Sequence, residues 1–228
     1  MGHLFRADTV LVGTGSSNIW IGASKSYAKT STSENTGGQF VSPTCYSQLI
    51  HNCNCNCFQS ISYVDSIAVF GEEYLDTVTL NSDLVTKGQS IGVAEFVSVG
   101  RLGERFDGIL GLGPVDLTEG TVSNTNEVPT VMDNLYAQRT ISSEVLGVFF
   151  SPSSSGDSTD ELTFGGYDAS KITREVSYMP IISTYPSSRS WGIGQSISYG
   201  GTVILSNTAG IVDTGTTLIL IGIYTTTT

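Results

Sequence analysis

Residues Leu11–Trp20 read LVGTGSSNIW, and residues Ile211–Leu220 read IVDTGTTLIL. The two stretches share a Val, a Thr-Gly pair, two hydroxyl residues, and an aliphatic residue at Ile19 and Ile219. They differ where a carboxylate would stand: Gly13 in the first, Asp213 in the second. In the second stretch two apolar residues bury a strand, and Asp213 ends it in a tight loop. Gly215 lets backbone approach as no Cβ would permit. Thr214 and Thr216 can bond the backbone and the carboxylate and so fix its orientation. A lone D-T-G tripeptide is a weak signal, whereas two frames with matching flanks, 200 residues apart, are a strong one.

Composition limits what these frames can belong to. The chain has 228 residues, enough for one large β domain or two smaller units, and its 26 glycines exceed the usual share of about 7%. Only 14% of residues are charged, while Ser, Thr and Val abound, which suits many short strands and turns. A formal charge of −11 argues against nucleic acid, because phosphate binding needs a basic face. With only 10 Lys and Arg, little paired charge is lost when carboxylates protonate, so the chain is suited to acid. No run approaches the ~18 apolar residues of a membrane helix, so no membrane partner is expected. The N-terminus, MGHLFRADTVLVG, lacks the apolar core of a signal peptide, and there is no N-x-[ST] sequon.

Read along the chain, residues 8–23 form a strand, a Gly-Ser turn and a second strand, and 24–38 form a polar loop with one edge strand. Residues 39–70 change character: they hold Cys45, Cys53, Cys55 and Cys57 and lack a clean alternating pattern. HNCNCNC with His51 at its edge could bind a soft metal. Zinc sites usually use C-x₂₋₄-C pairs, however, so a biased, poorly folded insert is the expectation and no metal or cofactor is expected. EEYLDTVTL (72–80) alternates, with Tyr74, Val78 and Leu80 inward. Segments 91–97 and 106–112 are further strands. Pro129 opens one helix, on which Met132, Leu135 and Tyr136 share a face. VLGVFFSP and ELTFGGYD are strands around a Ser-rich turn at 151–158, and MPIIS, SWGIGQSISYG and TVILS continue the pattern. The chain is mainly β.

With these stretches in hand, the sequence resembles the pepsin-like aspartic endopeptidases, and within them the basidiomycete acid proteases of the polyporopepsin type. The matching text includes GTGSSNIWIGA (13–23), EEYLDTVTL (72–80), FDGILGLGPVDLT (106–118), PTVMDNLYAQ (129–138), ELTFGGYDASK (161–171), SWGIGQSISYG (190–200) and AGIVDTGTTL (209–218). The resemblance implies a bilobal β fold with one D-T-G loop from each lobe meeting in a cleft. Residues 1–170 would form the N-terminal lobe and 171–228 a truncated C-terminal one. It also implies a mechanism. Two facing aspartates share one proton and hold a water; one activates the water toward a peptide carbonyl and the other acts as acid. Like charges that close cannot both ionise, so the pair works in acid. Carried over, Asp213 is one catalytic aspartate and its partner position is Gly13. Thr14 and Thr214 brace the loops, with Gly15 and Gly215 beside them. Ser16 and Thr216 orient the carboxylates, and Ile109, Leu110 and Gly111 pack against the first loop. Tyr63 stands where the family's flap tyrosine would. Protein or peptide substrates, pepstatin-like inhibitors, a monomer and secretion follow from the resemblance alone.

Four departures bear on activity. Gly13 removes a catalytic carboxylate, and the strand that the family places before the first motif is missing. The flap position is taken by 39–70, where Tyr63 precedes Val64-Asp65-Ser66 with no glycine. The sequence stops ten residues after Leu218, so the second lobe is expected to be incomplete. The expectation is an acid protease impaired in catalysis, with 41–68 and GIYTTTT as translated intervening sequence. A non-catalytic peptide-binding member of the fold is the alternative. A Ser-His hydrolase is disfavoured, since only His3 and His51 exist, one at the terminus and one in the odd insert. Trp20 and Trp191 are candidates for a pocket or for ordinary core, and Phe106 and Tyr136 for core. Asp107 is expected to serve a turn, and Glu72, Glu73 and Asp76 a solvated strand face.

Overall fold

A computed structural model describes residues 7–41, 68–97, 106–151, 160–216 and 218–221. Tyr63, His51, the four cysteines, most of the 151–158 turn and residues 222–228 lie outside the described residues. Within them the chain is mainly β, as the composition implies. Six strands form one sheet in the order β1-β6-β2-β5-β4-β3. They are β1 (Val10–Gly13), β2 (Ile19–Ile21), β3 (Glu34–Val41), β4 (Val69–Asn81), β5 (Leu84–Val97) and β6 (Gly108–Gly111). β4 and β5 form a long hairpin, turned where the Asn81 side chain accepts the N–H groups of Asp83 and Leu84. β6 runs parallel to β1 and antiparallel to β2. It therefore lies between two strands that are consecutive in the chain, and the loop 14–18 must cross the end of β6. Two further hairpins pair β7 (Leu146–Phe149) with β8 (Glu161–Phe164), and β9 (Gly192–Tyr199) with β10 (Thr202–Ile211). The last turns through Gly200-Gly201, both at positive φ, which suits a tight two-residue hairpin.

Alternation on β2 places Ile19 and Ile21 on one face and Trp20 on the other, and a core forms on each side. Ile19, Ile21, Ile91, Leu110, Leu112, Val131, Leu135 and Ile141 form one cluster. Trp20, Phe40, Val69, Val122 and Val128 form the second, with Phe106 packed partly buried against it. The first is closed by α1 (Val131–Ala137) through Val131 and Leu135. Its N-cap is Thr130, whose hydroxyl accepts the Asp133 N–H while the Asp133 carboxylate accepts the Thr130 N–H. Pro129 thus precedes the cap rather than opening the helix. Tyr136 is not core: Val131 and Leu135 take the buried stripe, and Tyr136 is 47% exposed. Residues 179–183 form no strand, and Met179 and Ile181 are exposed.

The acidic residues of β4 correct a further expectation. Glu72 is exposed, but Glu73 and Asp76 are buried, because β4 is an inner strand between β3 and β5. Burial alone would raise the Asp76 pKa. The Thr32, Tyr27 and Ser33 hydroxyls and the Thr77 N–H outweigh that and hold it at about 2. Asp107 does more than serve a turn. Its carboxylate accepts the Ser24 hydroxyl, the Thr9 N–H at 2.8 Å and the Lys25 ammonium at 3.0 Å, and its C=O accepts the Gly22 and Ala23 N–H groups. It thereby ties the chain ahead of β1 to the chain leaving β2. The Ser24 and Thr9 bonds, with help from Lys25, hold its carboxyl at about 2 against the opposing effect of burial.

Asp107→Asn is expected to destabilise the fold by about 2–3 kcal/mol at pH above the ordinary carboxyl range, measured by urea unfolding. Because the folded pKa lies below the ordinary 3.8, this contribution is full above 3.8 and fades as pH falls through about 2. The gap between variant and parent should therefore narrow in strong acid.

Candidate active site

β1 ends at Gly13 and β10 at Ile211, and the two similar loops that follow touch one another. Each threonine binds its counterpart: the Thr14 N–H donates to Thr214 Oγ1 at 3.2 Å, and the Thr214 N–H to Thr14 Oγ1 at 3.0 Å. The Thr14 hydroxyl in turn donates to the Val212 C=O at 3.0 Å. Thr14 is only 5% exposed and Thr214 half-buried, so these bonds are partly shielded from water, where an unpaired N–H is costly. The exchange holds two distant segments in a pseudo-twofold arrangement.

Asp213 sits at the centre. The Gly215 N–H donates to its Oδ1 at 2.8 Å and the Thr216 hydroxyl to its Oδ2 at 2.5 Å. These fix the plane of the carboxylate from its own loop. From the other loop, Gly15 lies directly beneath it: a Cβ at Gly15 would fall 2.6 Å from the Asp213 Cγ. Gly13 is different. A Cβ there would meet only ordinary contact, 3.4 Å from the Gly215 Cα and 3.8 Å from Asp213 Oδ1. The Gly13 position thus has room for a Cβ, which the Gly15 position does not.

The segment that follows β6 supports the first loop. The Leu112 N–H donates to the Gly13 C=O at 2.8 Å, the Gly113 N–H to the Ser16 C=O at 2.8 Å, and the Gly111 N–H to the Asn18 C=O at 3.0 Å. The Ser17 hydroxyl reaches the Pro114 C=O at 2.6 Å. Trp191 links the same segment to the second loop: its indole N–H donates to the Leu112 C=O at 3.0 Å, and its own C=O accepts the Val212 N–H at 3.0 Å. Trp20, by contrast, is buried in the core.

The structure brings together Gly13, Thr14, Gly15, Asp213, Thr214, Gly215 and Thr216, with Ser16 held through its backbone. Tyr63 lies outside the described residues. Among those described, no group of His, Cys, Asp and Glu could hold a metal ion. The sequence reading did not find the bridging roles of Trp191, Leu112 and Val212. Most of those contacts are made by backbone groups, which leave no residue-type signature; the indole N–H of Trp191 was the one available hint.

Two alanine substitutions separate these neighbours. Gly15→Ala should cost about 2 kcal/mol or more, because its methyl must displace the Asp213 carboxylate. Gly13→Ala should change stability by about 0.5 kcal/mol or less, in either direction. Urea unfolding of both variants checks the contrast.

Comparison with known proteins follows the same lines. The family model for eukaryotic aspartyl proteases matches residues 2–226. Polyporopepsin of Irpex lacteus is 51% identical over 217 residues, covering 93% of this chain and 57% of that protein. Rhizopuspepsin-1 of Rhizopus niveus is 36% identical over 163 residues, covering 71% of this chain and 39% of that protein. Among solved structures, the aspartic proteinase from Irpex lacteus superposes with a TM-score of 0.80 at 49% identity, over 95% of this chain and 58% of that one. The chain therefore spans a little over half the length of the Irpex lacteus proteins that it matches.

Proposed function

The chain belongs to the eukaryotic aspartyl protease family, and on that premise we propose that it carries the substrate-binding and loop architecture of an acid endopeptidase with one of the two catalytic carboxylates missing. The observation that carries this reading is the reciprocal Thr14–Thr214 exchange, which sets Gly13 opposite Asp213. In this reading Asp213 is the surviving catalytic aspartate. Thr14, Gly15, Thr214 and Gly215 fix the loops, and Thr216 orients the carboxylate, with Ser16 as its counterpart on the first loop. Tyr63 stays the proposed flap residue. Residues 1–170 and 171–228 are the proposed lobes.

Hydrolysis in acid needs one carboxylate to take a proton from water and another to give one to the leaving amine. Asp213 can orient a water through either oxygen, but it cannot fill both roles in one step. General acid–base catalysis is worth roughly 10²–10⁴-fold, so cleavage by this sequence should be slight. Proteins or peptides remain the proposed ligands and pepstatin-like peptides the proposed inhibitors, with a monomer and secretion as in fungal acid proteases. Among the described residues no helix is long and apolar enough to cross a membrane.

Gly13 also favours a second reading, in which the chain binds peptides without cutting them. Casein digestion at about pH 3.5, where a proton-sharing carboxylate pair works, separates the two when combined with a pepstatin column. We expect negligible cleavage with Gly13 in place. Gly13→Asp should restore pepstatin-sensitive cleavage once the chain is extended to the length of its relatives and given a glycine-turn flap. Retention on pepstatin by the original sequence, with no cleavage even after that substitution, would favour the binding reading. Strong pepstatin-sensitive cleavage with Gly13 present would show that the pair has been misassigned.

A further inference from the structure

We propose that Glu73 is a pH-responsive switch within the six-stranded sheet: a buried carboxyl that supports the β4–β5 pairing while it holds a proton and weakens the sheet when it loses it. Glu73 is 2% exposed and lies on an inner strand, opposite Gly92 of β5. One oxygen, Oε1, accepts the Ser90 hydroxyl; the other, Oε2, is buried with no hydrogen-bond partner. An ionised carboxylate has about four acceptor sites and needs donors or a cation when it leaves water. Among the described residues it finds a single hydroxyl, that of Ser90.

β4 lies between β3 and β5 in the sheet, and among the described residues the Glu73 carboxyl has no Lys or Arg partner from either. From β5 the carboxyl meets Gly92 across and Ser90 one step along. From β3 it meets the Thr36 region, where the Thr36 hydroxyl donates to the Glu73 C=O rather than to the carboxyl. Glu34 of β3 is exposed and paired with Leu75. Glu95 of β5 is exposed beside the bulge opposite Phe70-Gly71, and Lys87 is exposed near the far end of β5. On β4 itself, Glu72, Tyr74 and Asp76 stand on the other face by alternation, and the Tyr74 hydroxyl is engaged with Glu72.

The carboxyl responds accordingly. Burial raises its pKa from the ordinary 4.5 to about 7, against a smaller opposing effect of the Ser90 hydroxyl. A raised folded-state pKa means that the folded chain holds more protons than the unfolded chain between 4.5 and about 7. Stability from this group is therefore full below 4.5 and is lost as pH rises through about 7. The sheet is secure in acid and loosened at neutral pH. Asp76, three residues along the same strand, has the opposite dependence because hydroxyl donors surround it.

The test compares the native sequence with Glu73→Gln by urea unfolding, read by tryptophan emission, at pH values on either side of this window. Glutamine keeps the shape and removes the titration. The substitution should have a small effect at about pH 4. At about pH 8 the variant should be favoured in its folding equilibrium by about two orders of magnitude over the parent. A difference between the two proteins that does not change with pH would overturn the proposal. Titration of the Glu73 carboxyl carbon by NMR gives the second measurement and holds even if the variant fails to fold. A midpoint near 7 supports the switch, and one near the ordinary 4.5 overturns it.

Discussion

Two backbone N–H groups, those of Thr14 and Thr214, each end on the other residue's hydroxyl, at 3.2 and 3.0 Å. Each N–H thereby finds a partner that no strand ladder supplies at these positions, and left unpaired in this partly buried contact it would be costly. The hydroxyls belong to the side chains, so the bonds specify threonine or serine. They also specify distance: Gly13 and Gly215 are brought close enough that a Cβ on one would contact the Cα of the other. Asp213 stands above Gly15, between its own Gly215 N–H and Thr216 hydroxyl.

The rest of the fold serves this meeting. β6 lies between β1 and β2, so the first loop crosses its end and is held there through Leu112, Gly113 and Gly111. Trp191 adds a link to the second loop through Val212. The core on either side of β2 makes that frame stiff, with α1 closing one face. Buried carboxylates at Asp76 and Asp107 are satisfied by hydroxyls, N–H groups and one lysine, and so behave as struts. Glu73 has one donor among the described residues and behaves as a responsive element in the same sheet.

Much of this was legible in the residues. The duplicated V-x-T-G frame announced two matching loops, and alternation in EEYLDTVTL announced β4. What alternation could not announce was the strand's place in the sheet. A period of two separates the faces but does not say whether both are covered, so Glu73 and Asp76 read as solvated when β4 is an inner strand. Asp107 read as a turn residue because its partners Thr9, Ser24 and Lys25 are about 80–100 positions away in the chain. Tyr136 read as core because helical spacing does not say which adjacent stripe is spent on the sheet. Residues 179–183 carry the apolar content of a strand but make no ladder, and composition does not distinguish the two. In the site, the side chains were found from their motif, while the carbonyls of Val212, Leu112 and Gly13 left no trace in residue type.

The central claim is that the two loops are locked by their threonines acting as a pair. A double-mutant cycle of Thr14→Val and Thr214→Val, read by urea unfolding, measures this directly. Each single change should be destabilising, and the pair should cost less than the sum of the singles, with a coupling of about 1 kcal/mol or more. Additive effects, with no coupling beyond about 0.3–0.5 kcal/mol, would mean that the loops are placed by other contacts and would contradict the account.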